Sequence, residues 1–600
     1  MQVNYWARVA ERRITRRRSL AAVGGTGLAA AFLAACGGDD DDGGSTGTQK
    51  PAGLVSEPSD TTKNATKGGI LSVSSTNPPN SFDFTAGSGA PDYSGHVYSR
   101  LMKYEVMKYP EPAVSAVVPD AATSWETSPD GLTYTYKLRR GMKFDPRPPT
   151  NGRELTSQDV IFSWDRFAKL SSFRSTMVNS VDPEAPVVSV TAPDAYTVVA
   201  KLAFPYGPFN INFGYYRYGQ IMPTESDGGG FDPKSDARGT GAWRLKSFTP
   251  SVGQEFDRNP DWYDAGRVSL DGIQYTVLPE YTSALAQLQA GRLATYEVRA
   301  GDILSLKKAV PQLILQAGDA FPTSSPWIRF SYLPDSPFRD VRVRQALSLL
   351  LDRDLYVTTF GNTDVFSKEG LDVDIRWHSP IPAGMDAYWL NPKDEKSLGP
   401  AARFYKYDPA EAKKLLRAAG HNTALESQFT WSTSSPQQEG EVLKQMWEQH
   451  GDFKLPANVV DFVNEFRPNY SQNSNKHTGI AYSGASGYPD VDGWLWVYYK
   501  DGSPRAGHLG ADGKADAELN RLIIAQRGEL NEDKRTALLK DFQKYAAEKV
   551  YMLNGPGAAT QFRLAWPWLG NFGMFRSNQD SLAAVEGWTH YWIDQSKKSS

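Results

Sequence analysis

Apolar and polar residues alternate along Gly69-Ile70-Leu71-Ser72-Val73-Ser74, the two-residue period of a strand with one buried face. In "SWETSPDGLTYTYKLRRGMKF" the turn residues Pro129, Asp130 and Gly131 separate Trp125 from Leu132, Tyr134, Tyr136 and Leu138, which alternate with Thr and Lys. That pattern predicts a hairpin. The period then lengthens. "TSQDVIFSWDRFAKL" offers Thr156 as N-cap, Asp159 three residues on, and Val160, Phe162, Trp164 and Phe167 at helical spacing. Further helices are predicted over 282–290 and over 341–360, where Val343, Leu347, Leu350, Leu351 and Leu355 form a stripe behind an Asp340 cap. Another runs from Pro409 to Ala419 and stops at Gly420. Strands and helices alternate throughout, with no internal repeat, so the class is mixed α/β, and 600 residues should divide into several lobes.

The first residues obey different rules. Six arginines between Arg8 and Arg18 precede a weakly apolar run, Leu20 to Ala35, shorter than the roughly 20 residues needed to span a bilayer. A charged region followed by a short apolar one describes a signal peptide over 1–35. Leu33-Ala34-Ala35-Cys36 resembles the bacterial lipobox, which implies that Cys36, the single cysteine of the chain, carries lipid. Thr15-Arg16-Arg17-Arg18-Ser19-Leu20 resembles a twin-arginine export signal, with Ser19 where phenylalanine is usual; the general secretory route stays open. Residues 36–67, rich in Gly, Ser, Thr and Asp after the cysteine, read as a tether, because they lack the side chains that offset ordering entropy. Without disulfides, stability must come from a large core. The net charge is −3, and the leader takes six arginines and one glutamate with it, so the body is more acidic still and is not a nucleic-acid binder.

Catalytic motifs are incomplete. In "SGASG" the second glycine falls one place too early for a nucleophile elbow. Gly239-Thr240-Gly241 would need a third glycine where Arg244 stands. The seven histidines are scattered, which argues against a dedicated zinc or nickel cage, and Asp39 to Asp42 lack the ligand pattern of a calcium loop. No cofactor or metal is expected. Aromatics are the positive signal: Trp, Tyr and Phe make 12% of the chain and crowd into "FNINFGYYRYG" and "YPDVDGWLWVYY", suited to a cleft that holds a mid-sized solute.

Five stretches in order resemble the solute-binding proteins of ABC importers, in the family that binds peptides, nickel and other solutes. They are the hairpin with "TSQDVIFSW" after it, "GTGAWRLKSF" with "DRNPDWYDAG", "LAQLQAGRLATYEV", "PFRDVRVRQALSLLLDRD", and "YDPAEAKKLLRAAG". The resemblance implies a periplasmic-binding-protein-like clamp of two lobes with an extra subdomain on lobe I. Lobe I would take 68–110, 237–325 and 551–600, the subdomain 111–236, and lobe II 326–550. It also implies a monomer at the outer face of the cytoplasmic membrane, anchored through Cys36, that closes on a small-molecule solute and docks on an ABC permease driven by ATPase subunits. No catalysis is expected.

On the family's pattern the segment Ala485 to Asp492 lines the cleft, which points to Tyr488, Asp490 and Trp494, with Tyr482 and Phe466 on neighbouring segments. Many peptide-binding members place an aspartate immediately before the tyrosine, to pair with a peptide's α-amine. Here that place is Gly487. The expected ligand therefore lacks an obligatory free amino terminus, with an oligosaccharide or a blocked peptide in view; Asp490, three residues on, is the alternative amine partner. Two other classes stay open: a lipid-anchored hydrolase of cell-wall or glycan material, and a surface sensor or adhesin on the same fold.

Overall fold

The computed structural model describes residues 53–598 apart from 77–80, 86–90, 114, 319–320, 436, 486, 504, 511 and 578–585. The leader and Cys36 lie outside the described residues. The hairpin forms as its alternation predicts: strands Ala122–Thr127 and Thr133–Leu138 pair with Trp125 opposite Tyr136. Tyr134, Tyr136 and Leu138 face the core, and Gly131 takes the left-handed turn position at φ 70°. With Thr197–Leu202 and Val187–Asp194 these strands make a four-stranded antiparallel sheet. The helix Ser157–Leu170 covers it, opened by the Asp159 carboxylate accepting from the Thr156 amide at 2.9 Å. This is the subdomain.

Lobe I is built from separated parts of the chain. One sheet runs in the order Ile70–Ser75, Gly272–Val277, Gly253–Arg258, Trp243–Thr249. A second sets Phe562–Ala565 between Thr295–Tyr296 and Ile314–Ala317. Lobe II holds five strands in the order Ala457–Val460, Phe429–Ser432, Ile480–Ser483, Trp327–Phe330, Met552–Asn554, mixed parallel and antiparallel. The chain thus crosses between lobes I and II twice, after Ala317 and after Asn554. The crossings brace each other, with the Gly555 amide donating to Pro326 O and the Gly318 amide to Gln561 O.

Three expectations change. The strand Met552–Asn554, expected in lobe I, pairs with Trp327–Phe330 in the lobe II sheet, so lobe II reaches past residue 550. The helix expected over 341–360 is two helices, Val341–Leu349 and Arg353–Gly361. Asp352 breaks it by accepting from the Leu355 amide at 2.9 Å, while Arg353 turns back to Ser348 O and Tyr405 O. The tether expected to reach residue 67 is docked from Gly53 onward. Leu54 and Val55 lie against a lobe I cluster, Ser56 donates its amide to Leu315 O, and the Lys67 ammonium donates to Gly266 O and Val268 O. Leucine and valine supply here the apolar area that the rest of the stretch lacks. Gly239 and Gly241, where the third glycine of a phosphate loop was already missing, let two backbones approach: a Cβ on either would collide with the Val97 carbonyl.

Candidate ligand site at the closure seam

The two aromatic runs singled out from sequence meet. Tyr215, from "FNINFGYYRYG" in the subdomain, donates its hydroxyl to Gly487 O at 3.2 Å and has its ring 6.3 Å from Tyr488 in lobe II. Tyr488 in turn lies 6.3 Å from Tyr498, and Tyr498 lies 4.4 Å from Trp494. The seam is held further by the Ser115 hydroxyl donating to Pro489 O and by an ion pair between Lys500 and Glu184 at 2.6 Å.

Deeper in the seam is a latch. Arg527, on the helix Ala517–Gly528, lies 3.1 Å from Asp492 with both side chains fully buried. Its guanidinium donates to Thr176 O and Glu184 O across the seam, each at 3.0 Å, while Tyr206 of the subdomain donates its hydroxyl to Asp492. Burial works against the Arg527 charge, but Asp492 and Tyr206 outweigh it and raise its pKa. Subdomain and lobe II are therefore joined by charge-assisted bonds that exist only when they touch.

The segment expected to line the cleft divides sharply. Asp490 caps the helix Val491–Tyr498 and is bound to Arg535 by two hydrogen bonds, 2.5 and 3.1 Å, with 4% of its surface exposed. That pairing corrects the reading of Asp490 as an amine's partner: its oxygens are already used. Trp494 is fully buried, its indole N–H donating to Pro380 O at 3.0 Å. Tyr482 is buried and donates to Glu439 at 2.5 Å, and Phe466 is buried in a stack between Trp327 and Tyr470. These three are core. Gly487 keeps its place in the seam, and a Cβ there would meet Thr323 Oγ1 at 3.0 Å. Tyr488 also stays, and its buried hydroxyl has no hydrogen-bond partner among the described residues.

The residues that sequence reading missed are arginines. Arg217, inside the first aromatic run, lies over Phe173 at 4.9 Å, and Arg505 of lobe II lies over the same ring at 5.6 Å and donates to Tyr498 Oη at 3.2 Å. Arg467 sits in Phe462–Ser471, wound in wide turns in which the Phe466 amide reaches Asp461 O and the Gln472 amide reaches Arg467 O. Such turns are rare and concentrate at functional sites. Burial, then the charges of Arg505 and Arg217, lower the pKa of Arg467. Beyond it opens a groove of about 550 Å³ lined by Pro468, Tyr470, Asn473, Lys476 and His477.

Two lobes, a subdomain on the first, and a polar aromatic seam that closes between them define a binding-protein clamp. Residues 116–505 match the profile of the bacterial extracellular solute-binding proteins, family 5, and the chain belongs to that family. Its relatives include the heme-binding protein A of Haemophilus influenzae, 25% identical over 75% of this chain and 79% of that one. The dipeptide-binding protein of Escherichia coli is 24% identical over 68% and 74%. Among solved structures, the periplasmic binding protein DppA from Helicobacter pylori with the peptide STSA superposes with a TM-score of 0.71 at 16% identity, over 89% of this chain and 99% of that one. AgaA from A.tumefacien R10 with agropinic acid gives 0.68 at 20% identity, over 88% and 99%. The family consists of solute receptors of ABC importers rather than enzymes, and its relatives are exported.

Proposed function

We propose that this chain is a lipid-anchored receptor that closes on a mid-sized polar organic solute lacking a free amino terminus and hands it unchanged to an import permease. The observation that carries the solute class is the commitment of the seam's carboxylates. Asp490 is held by Arg535, and Asp492 by Arg527, Tyr206 and Gln526. Gly487 supplies no third. An ammonium enclosed there would stay unpaired, at an effective cost of several kcal/mol. The related proteins bear names for heme and dipeptides and the solved ones hold a peptide or an opine-type acid, so the family fold leaves the solute open. Anchoring through Cys36 rests on the lipobox sequence, and two acyl chains would hold the receptor near its permease. Calorimetry against tripeptides with free and with N-acetylated amino ends tests the reading. Blocked forms are expected to bind at least as well as free ones; binding that vanishes on acetylation would overturn it.

A further inference from the structure

Arginines gather at the closure seam. Arg467 and Arg505 form no ion pair with any described acidic side chain, whereas most other buried or half-buried arginines do, among them Arg100, Arg153, Arg166, Arg527 and Arg535. Arg217 and Arg505 approach one phenylalanine ring from opposite sides of the seam. Like charges gathered in a poorly hydrated place repel, and burial adds to the cost. A second observation points the same way. The hydroxyls of Tyr218 and Tyr488 are buried without a hydrogen-bond partner among the described residues, and each feels the electrostatic influence of Arg217. Tyr218 and Tyr215 are 5.2 Å apart, ring to ring, which sets both beside the Tyr215–Gly487 contact. Buried donors left without acceptors are uncommon in folded proteins and call for an explanation.

Resting on the receptor reading above, we infer that the solute is an acid, and that its carboxylate or comparable anionic group is bound between Arg217, Tyr218 and Phe173 of the subdomain and Arg467, Tyr488 and Arg505 of lobe II. The donors suit it: guanidinium groups match planar oxyanions in two-bond geometry, and phenol hydroxyls complete the remaining acceptor positions. Because the donors come from both sides of the seam, the anion favours the closed form. The body of the solute would then extend toward the groove that begins at Pro468.

Citrate serves as a compact anionic probe and sorbitol as its neutral counterpart. Millimolar citrate is expected to raise the thermal midpoint and reduce the radius of gyration of the purified full chain, and sorbitol to do neither. In Arg467→Gln and Arg505→Gln the citrate affinity should fall about tenfold to a hundredfold for each charge-assisted bond lost, with a smaller loss in Tyr488→Phe. The unliganded arginine variants should be at least as stable as the parent, since they relieve repulsion; that measurement separates lost binding from lost folding. Absence of a citrate effect, or an equal effect in parent and arginine variants, overturns the anionic site. The receptor reading fails separately, if no organic solute co-purifies and none closes the clamp.

Discussion

Replacing Arg527 with methionine removes the cation of the seam's latch while keeping an unbranched side chain of similar length. Asp492 would remain fully buried with Tyr206 and Gln526 as its donors, 2.6 Å in the latter case, and Thr176 O and Glu184 O would each lose a donor at 3.0 Å. Breaking one side of a buried pair costs about 3–5 kcal/mol, because the other charge stays uncompensated. Removing both charges, as in Arg527→Met with Asp492→Leu, costs less than removing the cation alone, since an apolar pair of similar volume needs no solvation. Urea unfolding of the parent, both single variants and the double variant, followed by tryptophan fluorescence, measures the coupling. The double variant should be more stable than Arg527→Met by at least about 1 kcal/mol. The Arg527→Met chain should also show a larger radius of gyration, since two of the lost bonds cross the seam. Additive losses in the two single variants would refute the latch.

Two other outcomes follow from the same structure. His96, His378, His477 and His508 are buried and neutral, with pKa values pushed by burial down to about 3, 4, 3 and 3. Each gains a proton on unfolding once pH falls below the ordinary value near 6.5. Stability should therefore be constant above that pH and decline progressively toward pH 4, and His477→Phe should flatten the decline; a curve unchanged in that variant would contradict the assignment. Metabolic labelling with a lipid analogue should mark the parent and not Cys36→Ser, and equal labelling of both would remove the anchor.

Local chemistry was legible in the sequence wherever a short stretch carried its own signal. The alternation around Tyr134 and Tyr136 and the Thr156–Asp159 cap predicted elements that formed at those places. The stripe over 341–360 misled because Leu350 and Leu351 continue it across the break; Asp352, a cap written inside the stripe, was the contrary sign. At the site, the resemblance pointed to a segment that lies in the seam but did not separate seam residues from core. Trp494 and Phe466 have the same composition signal as Tyr488, and only the contacts with Pro380, Trp327 and Tyr470 separate them. Arg535, which takes Asp490, lies 45 residues away in the chain. The meeting of Arg217 with Arg505 depends on closure of one part of the chain onto another, which no spacing encodes. One signal was present: Arg217 is the single charged residue in "FNINFGYYRYG", a cation written among aromatic residues.

The central claim is that the chain closes on a solute and releases it unchanged. Native mass spectrometry of the purified protein identifies the co-purifying solute, which is then stripped by unfolding and refolding and added back during small-angle scattering. The account predicts that the radius of gyration falls on addition, saturates at one solute per chain, and that the recovered solute has its original mass. A radius that does not change while the solute is bound, or a solute recovered as a reaction product, would contradict it.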